Sequence, residues 1–309
     1  MKTTSSPKVY SSLLWSVTGS QYCLAMKRSV TAIMTVFKRG NNFPSQMEAV
    51  LGQSLPVQKI LVLENGENEV SVHGNDLVTK VRSDENLGVW ARFSLALMAE
   101  TEYIWILDDD FLPGSKWLEN VMQTELLTGE ALFGSRGLIF KSKHNYLEYQ
   151  EVGTHSPNKE AAQVDIVGHN WIFKRKFLAD FWGQYSRAFP SRFAGEDIHI
   201  SYSLQRNKSI KTIVPPHPSD DIEMWGEKPT GAVSGGTGSE AISQSAEGLK
   251  RFEKALKHYR KLGFETVLER ASEIDISPAN ELRGRLIGRF PHLALQISRL
   301  LKKLFRSKQ

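Results

Sequence analysis

The sequence predicts an α/β protein with a Rossmann-like, doubly wound mixed sheet. Apolar runs alternate with segments of helical periodicity, and short polar stretches join them. The run from Tyr103 to Leu107 contains no charged residue, as in a strand covered on both faces. With 309 residues, 40% of them hydrophobic, the chain is long enough to bury a large core. We therefore predict one main α/β domain with smaller appendages.

Residues 30–127 are predicted to follow the order strand, helix, strand, strand, helix, strand, helix. Val30 to Phe37 is an apolar run that ends in a polar turn. Pro44 suits the first turn of the next helix, which presents Met47 and Val50 on one face. The predicted strands are 30–37, 59–63, 77–81 and 103–107, and the predicted helices are 45–53, 89–100 and 116–127.

The second half continues the alternation around a polar, hairpin-like region that extends to residue 160. The predicted strands are 131–139, 164–173 and 211–214, and the predicted helices are 175–182, 198–205 and 245–262. Residues 225–243 are rich in Gly, Ser and Thr and lack a core pattern. Because such long loops in compact chains are usually lids or links, we predict a lid that is anchored at Trp225.

The basic character of the chain comes from its two ends. Residues 1–28 carry +4 and residues 279–309 carry +7, so subtraction from the total of +5 leaves −6 for the middle. A mildly acidic body argues against a nucleic-acid-binding face. The single cysteine, Cys23, excludes an internal disulfide and suits the cytosol, and no apolar run is long enough to span a bilayer.

Three regions follow from this distribution. They are a flexible N-terminal segment (1–28), the α/β domain (29–265) and a basic helical tail (266–309). The tail places Leu293, Ile297 and Leu301 on one helical face and basic residues on others, which fits an anionic membrane surface. The alternative is a helix packed on the body or in a dimer. The prediction is a cytoplasmic protein that is peripheral at the membrane if the tail binds it.

Three adjacent aspartates, Asp108, Asp109 and Asp110, end the strand at 103–107. Ligands of open α/β sheets bind beyond the carboxyl ends of the strands, and adjacent carboxylates there favour a hard cation such as Mg²⁺ or Mn²⁺. One alternative is an acidic loop whose last aspartate caps a helix. A second is a phosphatase with an Asp-x-Asp-x-Thr motif, which Leu112 in place of Thr disfavours.

A second acidic pair, Glu196 and Asp197, follows Gly195 at the start of a predicted helix. A carboxylate in this position is able to accept a proton from a substrate hydroxyl, and the glycine allows close approach of a substrate. The alternative is that these acids only cap the helix, whose N-terminus favours negative charge.

These motifs together resemble the GT-A glycosyltransferases, in particular glycosyltransferase family 2, and the second half also resembles the exostosin-type transferases. The resemblance covers about residues 29–220 and rests on the order and spacing of loose motifs. These motifs are a strand running into Arg39, Glu64-Asn65-Gly66 after the second strand, Asn86-x-Gly88 with Arg92, Tyr103 to Asp110, Gly195-Glu196-Asp197, and His217 after a strand.

The resemblance implies a metal-dependent enzyme that moves a hexosyl or N-acetylhexosaminyl group from a nucleotide sugar, with a UDP-sugar as the expected donor, to a hydroxyl of a glycan or lipid-linked acceptor. It implies Asp197, with Glu196 beside it, as the catalytic base. It implies Mn²⁺ or Mg²⁺ held by Asp110, Asp108 and His217. The residues that it assigns to nucleotide contact are Val36, Phe37, Arg39, Glu64, Asn86, Arg92, Asp108 and Asp109. It also places Trp171 in the sugar pocket.

Each of these roles has a structural alternative. Val36, Phe37 and Trp171 are equally typical of a core, and Arg39 and Arg92 of surface ion pairs. Glu64 is otherwise an exposed loop acid, and His217 a histidine in a proline-rich turn. At the level of function, the main alternative is a catalytically inactive GT-A-like domain that binds a glycan or a partner. A sugar-nucleotide pyrophosphorylase is disfavoured because the loop after the first strand has only one glycine.

Overall fold

The computed structural model describes residues 28–66, 69–72, 75–142, 145–208, 210–229 and 245–275. The predicted N-terminal segment, most of the predicted lid and the amphipathic tail helix lie outside these residues. Contacts divide the chain into two units, Met1–Phe264 and Glu265–Gln309. Within the described part of the chain, no helix combines the length and apolar character needed to cross a bilayer.

The first unit contains nine strands and six α-helices among its described residues. The strands are β1 (Val30–Val36), β2 (Lys59–Asn65), β3 (Val78–Ser83), β4 (Tyr103–Leu107), β5 (Ala131–Phe140), β6 (Tyr149–Gly153), β7 (Ala162–Val164), β8 (Ile166–Lys174) and β9 (Lys211–Val214). The helices are α1 (Phe43–Leu51), α2 (Ala91–Leu95), α3 (Trp117–Thr128), α4 (Leu178–Gly183), α5 (Glu196–Lys208) and α6 (Ala246–Lys261). In the second unit, α7 spans Val267–Asp275.

All nine strands form one mixed sheet in the order β3-β2-β1-β4-β8-β5-β9-β7, with β6 paired to β5. Strands β3, β2, β1 and β4 run parallel to one another, and β8 is antiparallel to both β4 and β5. The predicted doubly wound mixed α/β sheet is therefore confirmed. The carboxyl ends of β1 and β4, which are neighbours, meet at one edge of this sheet.

The core lies on both faces of the parallel half, as the apolar runs predict. All five residues of β4 are buried, and all seven residues of β1 are buried or nearly so. One face packs against α1 and α3 through Trp105, Trp117 and Val121. A second buried cluster lies against β5 and β8, where Tyr202 of α5 packs with Leu256 and Tyr259 of α6.

Strand β8 contains one extra residue opposite β5. The pairing moves from Gly134 with Trp171 to Arg136 with Gly168, so that three steps on β8 face two on β5. His169 lies inside this bulge and has a positive φ of 71°, which is uncommon for a residue with a side chain. The bulge therefore changes which residues of β8 share a face of the sheet on its two sides.

Candidate active site

The acidic turn, which we define as Asp108–Asp110, is held by amide side chains from α1 and the residue before it. The Gln46 side chain donates hydrogen bonds to the Asp108 carbonyl at 2.5 Å and to the Phe111 carbonyl at 3.0 Å. The Asn42 side chain donates to the Asp109 carbonyl at 3.0 Å. Since these bonds satisfy backbone oxygens, the three carboxylates remain available for other partners.

Arg39 neutralises part of the charge of the acidic turn. Its Nη1 lies 2.8 Å from Asp109 Oδ1 and 3.0 Å from Asp110 Oδ2. Asp109 Oδ2 accepts a hydrogen bond from the Phe37 backbone N–H at 2.9 Å. Both oxygens of Asp109 are thus occupied, whereas the buried Oδ1 of Asp110 has no hydrogen-bond partner within the described residues.

Two residues that the sequence analysis did not assign to the site complete the surroundings of Asp110. Glu227 is 1% exposed, and its Oε2 lies 3.1 Å from Nδ1 of His169. The His169 ring stacks on Phe111 with a centroid separation of 4.0 Å. Burial raises the pKa of Asp110, with further contributions from Asp109 and Glu227, while His169 and Arg39 oppose the rise. We call Arg39, Asp109, Asp110, His169 and Glu227 the Asp110 region.

Arg92 joins the acidic turn to the second acidic pair. Its Nη1 pairs with Asp108 Oδ1, and its Nη2 lies 2.6 Å from Glu196 Oε1. The guanidinium sits 4.4 Å above the ring of Trp171, and 8% of the Arg92 side chain is exposed. One buried cation therefore contacts both acidic motifs, which are far apart in sequence.

Asp197 begins α5 next to Glu196 and is not itself paired with Arg92. Its Oδ1 accepts a hydrogen bond from the Ile198 N–H at 2.7 Å. Burial, followed by the charge of Glu196, raises the pKa of Asp197 to about 7. Gly195, immediately before the pair, has a φ of 91°, a conformation that favours glycine. We call Arg92, Glu196, Asp197 and the nearby Tyr146 the Asp197 region; Tyr146 interacts electrostatically with both acids.

His217, predicted as a metal ligand, has a different role in the structure. It is fully buried, its Nδ1 lies 2.9 Å from the Pro215 carbonyl, and its Nε2 accepts from the Gly226 N–H at 3.4 Å. Burial lowers its pKa to about 4, so the ring is neutral at pH 7. Both nitrogens hydrogen-bond within a turn in this structure, so the metal ligand at His217 stays a prediction.

Three further predicted contacts are used within the protein. Val36 is 1% exposed and belongs to the core between β1 and the helices. Trp171 is 2% exposed and donates from Nε1 to the Val167 carbonyl at 2.9 Å, so its ring is not open to a sugar face. Glu64 accepts hydrogen bonds from the Val70 N–H at 2.8 Å and from Lys80 at 2.9 Å.

Glu64 is therefore neither an exposed loop acid nor an available ligand. It is 2% exposed. Burial alone would raise its pKa, but the hydrogen bonds from Val70 and Lys80 lower the pKa overall. The carboxylate fixes the chain that follows β2 against β3.

Phe37 and Asn86 lie at the carboxyl ends of the strands, as predicted. Phe37 is partly exposed, and a Cβ on Gly66 would lie 3.6 Å from its ring. Asn86 Oδ1 accepts from the Gly88 N–H at 2.8 Å and from Asn65 at 3.2 Å. Asn86 shapes the turn before α2, which carries Arg92.

The residues at the acidic turn are suited to a divalent cation with few protein ligands. No cluster of three or more His, Cys, Asp or Glu side chains in ligand geometry occurs among the described residues. Asp110 Oδ1 and Glu227 Oε1 are nevertheless both buried without hydrogen-bond partners among those residues. Because Mg²⁺ is usually bound by one or two carboxylates, waters and substrate phosphates, each of these oxygens is a candidate ligand for such an ion.

The start of the predicted lid is fixed against the sheet. Trp225 is 4% exposed and donates from Nε1 to the Pro218 carbonyl at 2.7 Å. A Cβ on Gly226 would lie 2.5 Å from the Cβ of Ser135, so only glycine fits there. The Asn170 side chain donates to the Gly226 carbonyl at 2.5 Å. These contacts position Glu227, for which the sequence offered no signal beyond a charged residue after a glycine.

Comparison with known proteins adds one structural similarity. No protein-family model and no curated protein match the sequence. The chain is similar to a solved structure described as GalNAc-T7 with UDP, GalNAc and Mn2+, at 12% identity and a TM-score of 0.48. The similarity covers 61% of this chain and 42% of that chain, so it spans less than half of that chain's length. At this level, the similarity carries no argument about substrate or metal.

Proposed function

We propose that this protein is a metal-dependent GT-A glycosyltransferase that transfers a sugar from a nucleotide donor, such as a UDP-sugar, to an acceptor hydroxyl. One observation supports this proposal most directly. The guanidinium of Arg92 contacts both Asp108 and Glu196, so the acidic turn and the acidic pair belong to one site. A transferase needs both: a place for a charged leaving group and a base for the attacking hydroxyl.

The Asp110 region suits the diphosphate of the donor. Arg39 supplies a positive charge at the carboxyl ends of β1 and β4, and Phe37 offers a partly exposed ring for a nucleobase. Asp110 and Glu227 would hold the divalent cation through the oxygens that have no hydrogen-bond partner among the described residues. A bound Mn²⁺ or Mg²⁺ supplies positive charge that stabilises the departing diphosphate.

The Asp197 region suits proton transfer, and its geometry favours Asp197 over Glu196 as the base. Glu196 is 6% exposed and forms an ion pair with Arg92, which stabilises its charged form. Asp197 has no such partner, and burial raises its pKa to about 7, close to the pKa that suits a general base near neutral pH. As the acceptor oxygen bonds to the anomeric carbon, its proton passes to the Asp197 carboxylate.

The donor site is tested by isothermal titration of the full chain with UDP, with and without Mn²⁺. We expect Mn²⁺ to strengthen UDP binding about tenfold or more, and Asp110→Asn and Glu227→Gln each to abolish that gain. Asp84→Asn, which changes an aspartate that is 90% exposed, serves as the matched control. UDP binding that depends on neither the metal nor Asp110 would exclude the proposed metal site.

A catalytically inactive binding domain is the second candidate, and one observation favours it. Arg39 and Arg92 together pair with all three aspartates of the acidic turn and with Glu196. If these ion pairs persist with UDP bound, the carboxylates are not available for a metal. A panel of UDP-sugars incubated with Mn²⁺ separates the candidates, since slow hydrolysis that Asp197→Asn abolishes requires an enzyme.

The acceptor is proposed to be a glycan or a lipid-linked saccharide, and the protein to be cytoplasmic and peripheral at the membrane. The support is the basic tail at 279–309, whose charge is +7. Sedimentation of the full chain with phosphatidylserine vesicles tests this part. Equal sedimentation with neutral phosphatidylcholine vesicles, or none with either, would exclude an anionic membrane partner.

A further inference from the structure

A second arginine lies in the sheet near the Asp197 region. Arg136 pairs through its backbone with Gly168 on β8 and with Gly153 on β6. A Cβ built on Gly168 would meet no atom within 4 Å, so the space above this residue is open. The side chain of Arg136 is 24% exposed. Arg136 therefore lies between two residues without side chains, and we call the open space above Gly168 the hollow.

The hydrogen-bonding capacity of Arg136 is only partly used. Its Nη2 lies 2.9 Å from Glu151 Oε2 and 3.5 Å from the Tyr149 hydroxyl. Its Nε is buried and has no hydrogen-bond partner in the described chain. A buried guanidinium N–H without an acceptor is costly, and an oxygen of a bound ligand would satisfy it.

The carboxylate that faces Arg136 is shared with another base. Glu151 Oε1 lies 2.7 Å from Nδ1 of His155. Burial opposes ionisation of Glu151, but hydrogen bonds from His155 and Arg136 lower its pKa to about 2. The hydrogen bond to Glu151 raises the pKa of His155. With His155 protonated, Arg136, Glu151 and His155 carry a net charge of about +1, which favours an anion.

Tyr146 connects this cluster to the proposed base. Its ring packs on Phe140 of β5 at 5.4 Å and on Phe252 of α6 at 5.3 Å between centroids. The same phenol interacts electrostatically with Arg136 and with Asp197. The hollow at Gly168 is also one residue from His169 of the Asp110 region. An acceptor with its hydroxyl at Asp197 would thus have a neighbouring group within reach of the hollow.

We infer that the acceptor carries an anionic group, a sugar carboxylate or a phosphate, which binds Arg136 in the hollow above Gly168. This inference rests on the proposed function, because it places the acceptor beside Asp197. The anionic group would pair with the exposed part of the Arg136 guanidinium and would compete with Glu151 for it. Arg136 is a specificity-determining residue in this arrangement and takes no part in the proton transfer.

The test compares three probes in the presence of UDP and Mn²⁺ by saturation-transfer NMR titration of the full chain. The probes are p-nitrophenyl β-D-glucuronide, glucose 6-phosphate and the neutral p-nitrophenyl β-D-glucoside. We expect an anionic probe to bind about tenfold tighter than the neutral one, as a charge-assisted hydrogen bond allows. Whether the glucuronide or the phosphate is preferred identifies the source of the anion. No preference for either would overturn the inference.

Two variants have opposite expected signs, which keeps the test valid if one of them fails to fold. Arg136→Gln should remove the preference, and Glu151→Gln should strengthen it because the guanidinium loses its competing carboxylate. Arg82→Gln, at a more exposed arginine that also faces carboxylates, is the matched control. A preference that survives Arg136→Gln, or that Glu151→Gln weakens, would contradict the inference.

Binding of UDP is measured on the same samples. If UDP affinity is unchanged and no anionic probe is preferred, the acceptor subsite at Arg136 is excluded and the proposed function is not affected. Loss of UDP affinity in Arg136→Gln would place Arg136 at the donor and overturn the inference. Absent UDP binding in every protein would instead count against the proposed function itself.

Discussion

The Asp110 region and the Asp197 region each contain an aspartate whose pKa is raised by loss of contact with water, but their neighbours differ. Asp110 has Arg39 at 3.0 Å and also interacts with His169, both of which favour its charged form. For Asp197, the charge of Glu196 is the main electrostatic contribution after burial, and it disfavours the charged form. Arg92 pairs with Glu196 and Asp108 instead of with Asp197.

Under the proposed function, this difference would suit Asp110 to binding an ion and Asp197 to exchanging a proton. Positive charge beside a carboxylate favours its charged form, which is suited to binding. A carboxylate beside another carboxylate, removed from water, changes its protonation near neutral pH and is suited to catalysis. The variants below test this contrast in order of decreasing effect.

The largest expected effect is the loss of turnover in Asp197→Asn. Removal of a general base typically reduces the rate by about 10²- to 10⁴-fold, whereas binding of the donor does not depend on this group. The measurement is hydrolysis or transfer from the UDP-sugar that the hydrolysis panel selects, alongside UDP titration. Glu196→Gln, one residue away, is the control and should retain more activity. If Glu196→Gln is the more damaging change, the assignment of the two acids is reversed.

The next effect is on stability, in Arg92→Met. Loss of this cation leaves Asp108 and the buried Glu196 without their partner, and breaking such a buried ion pair costs about 3–5 kcal/mol of unfolding free energy. Urea denaturation at pH 7 measures the change. Arg82→Met, at a side chain that is 48% exposed, should change the unfolding free energy by less than about 0.5 kcal/mol. Equal losses of unfolding free energy in the two variants would show that the ion pairs of Arg92 with Asp108 and Glu196 do not stabilise the fold.

The pH dependence of stability gives a somewhat smaller effect, again at Asp197. The folded pKa of about 7 lies above the unfolded value, so the wild type loses stability as pH rises from about 4 to about 7 and the carboxyl ionises. Asp197→Asn lacks this ionisation. Its unfolding free energy, relative to that of the wild type, should therefore rise by about 2–4 kcal/mol between pH 4 and pH 8. Urea denaturation at both pH values measures the gain. A difference that stays constant with pH would mean that Asp197 is ionised throughout.

The smallest effect separates the two regions directly. Because Glu227 contributes to the raised pKa of Asp110, Glu227→Gln should lower the pKa of Asp110 in the metal-free protein. It should leave the pKa of Asp197 unchanged, since Glu227 is not among the groups that shift it. Carboxyl carbon chemical shifts followed by NMR over pH measure both. If the pKa values of Asp110 and Asp197 both shift, the two regions are electrostatically coupled.

The sequence predicted the sheet and the position of the acidic turn well because both depend on local patterns. The run Tyr103–Leu107 is β4 with the same bounds, and Lys211–Val214 is β9. The helix predicted at 89–100 is shorter, since α2 ends at Leu95 and a 3₁₀ turn follows over Ala96–Met98. The predicted hairpin-like region, which extends to residue 160, contains β6, and β7 follows it at Ala162–Val164; both carry too few apolar residues for a clear period.

Side-chain partners were predicted less well because they depend on distant contacts. Glu227 and His217 lie ten positions apart on the same connecting segment, and it is the packing of Gly226 against Ser135 and the hydrogen bond from Asn170 that place Glu227 beside His169. Likewise, the role of Trp171 depends on the bulge at His169, which hydrophobic periodicity does not reveal. Arg39 and Arg92 were predicted at the site, but their pairing with the aspartates was not.

The amides of Asn42 and Gln46 have a consequence for how the protein responds to acid and base. Neither side chain gains or loses a proton over the physiological range, and both bind main-chain oxygens of the acidic turn. The backbone shape of Asp108–Asp110 is therefore insulated from the ionisation of its own carboxylates. A change of pH would alter the charge presented to a ligand while leaving the scaffold that presents it in place.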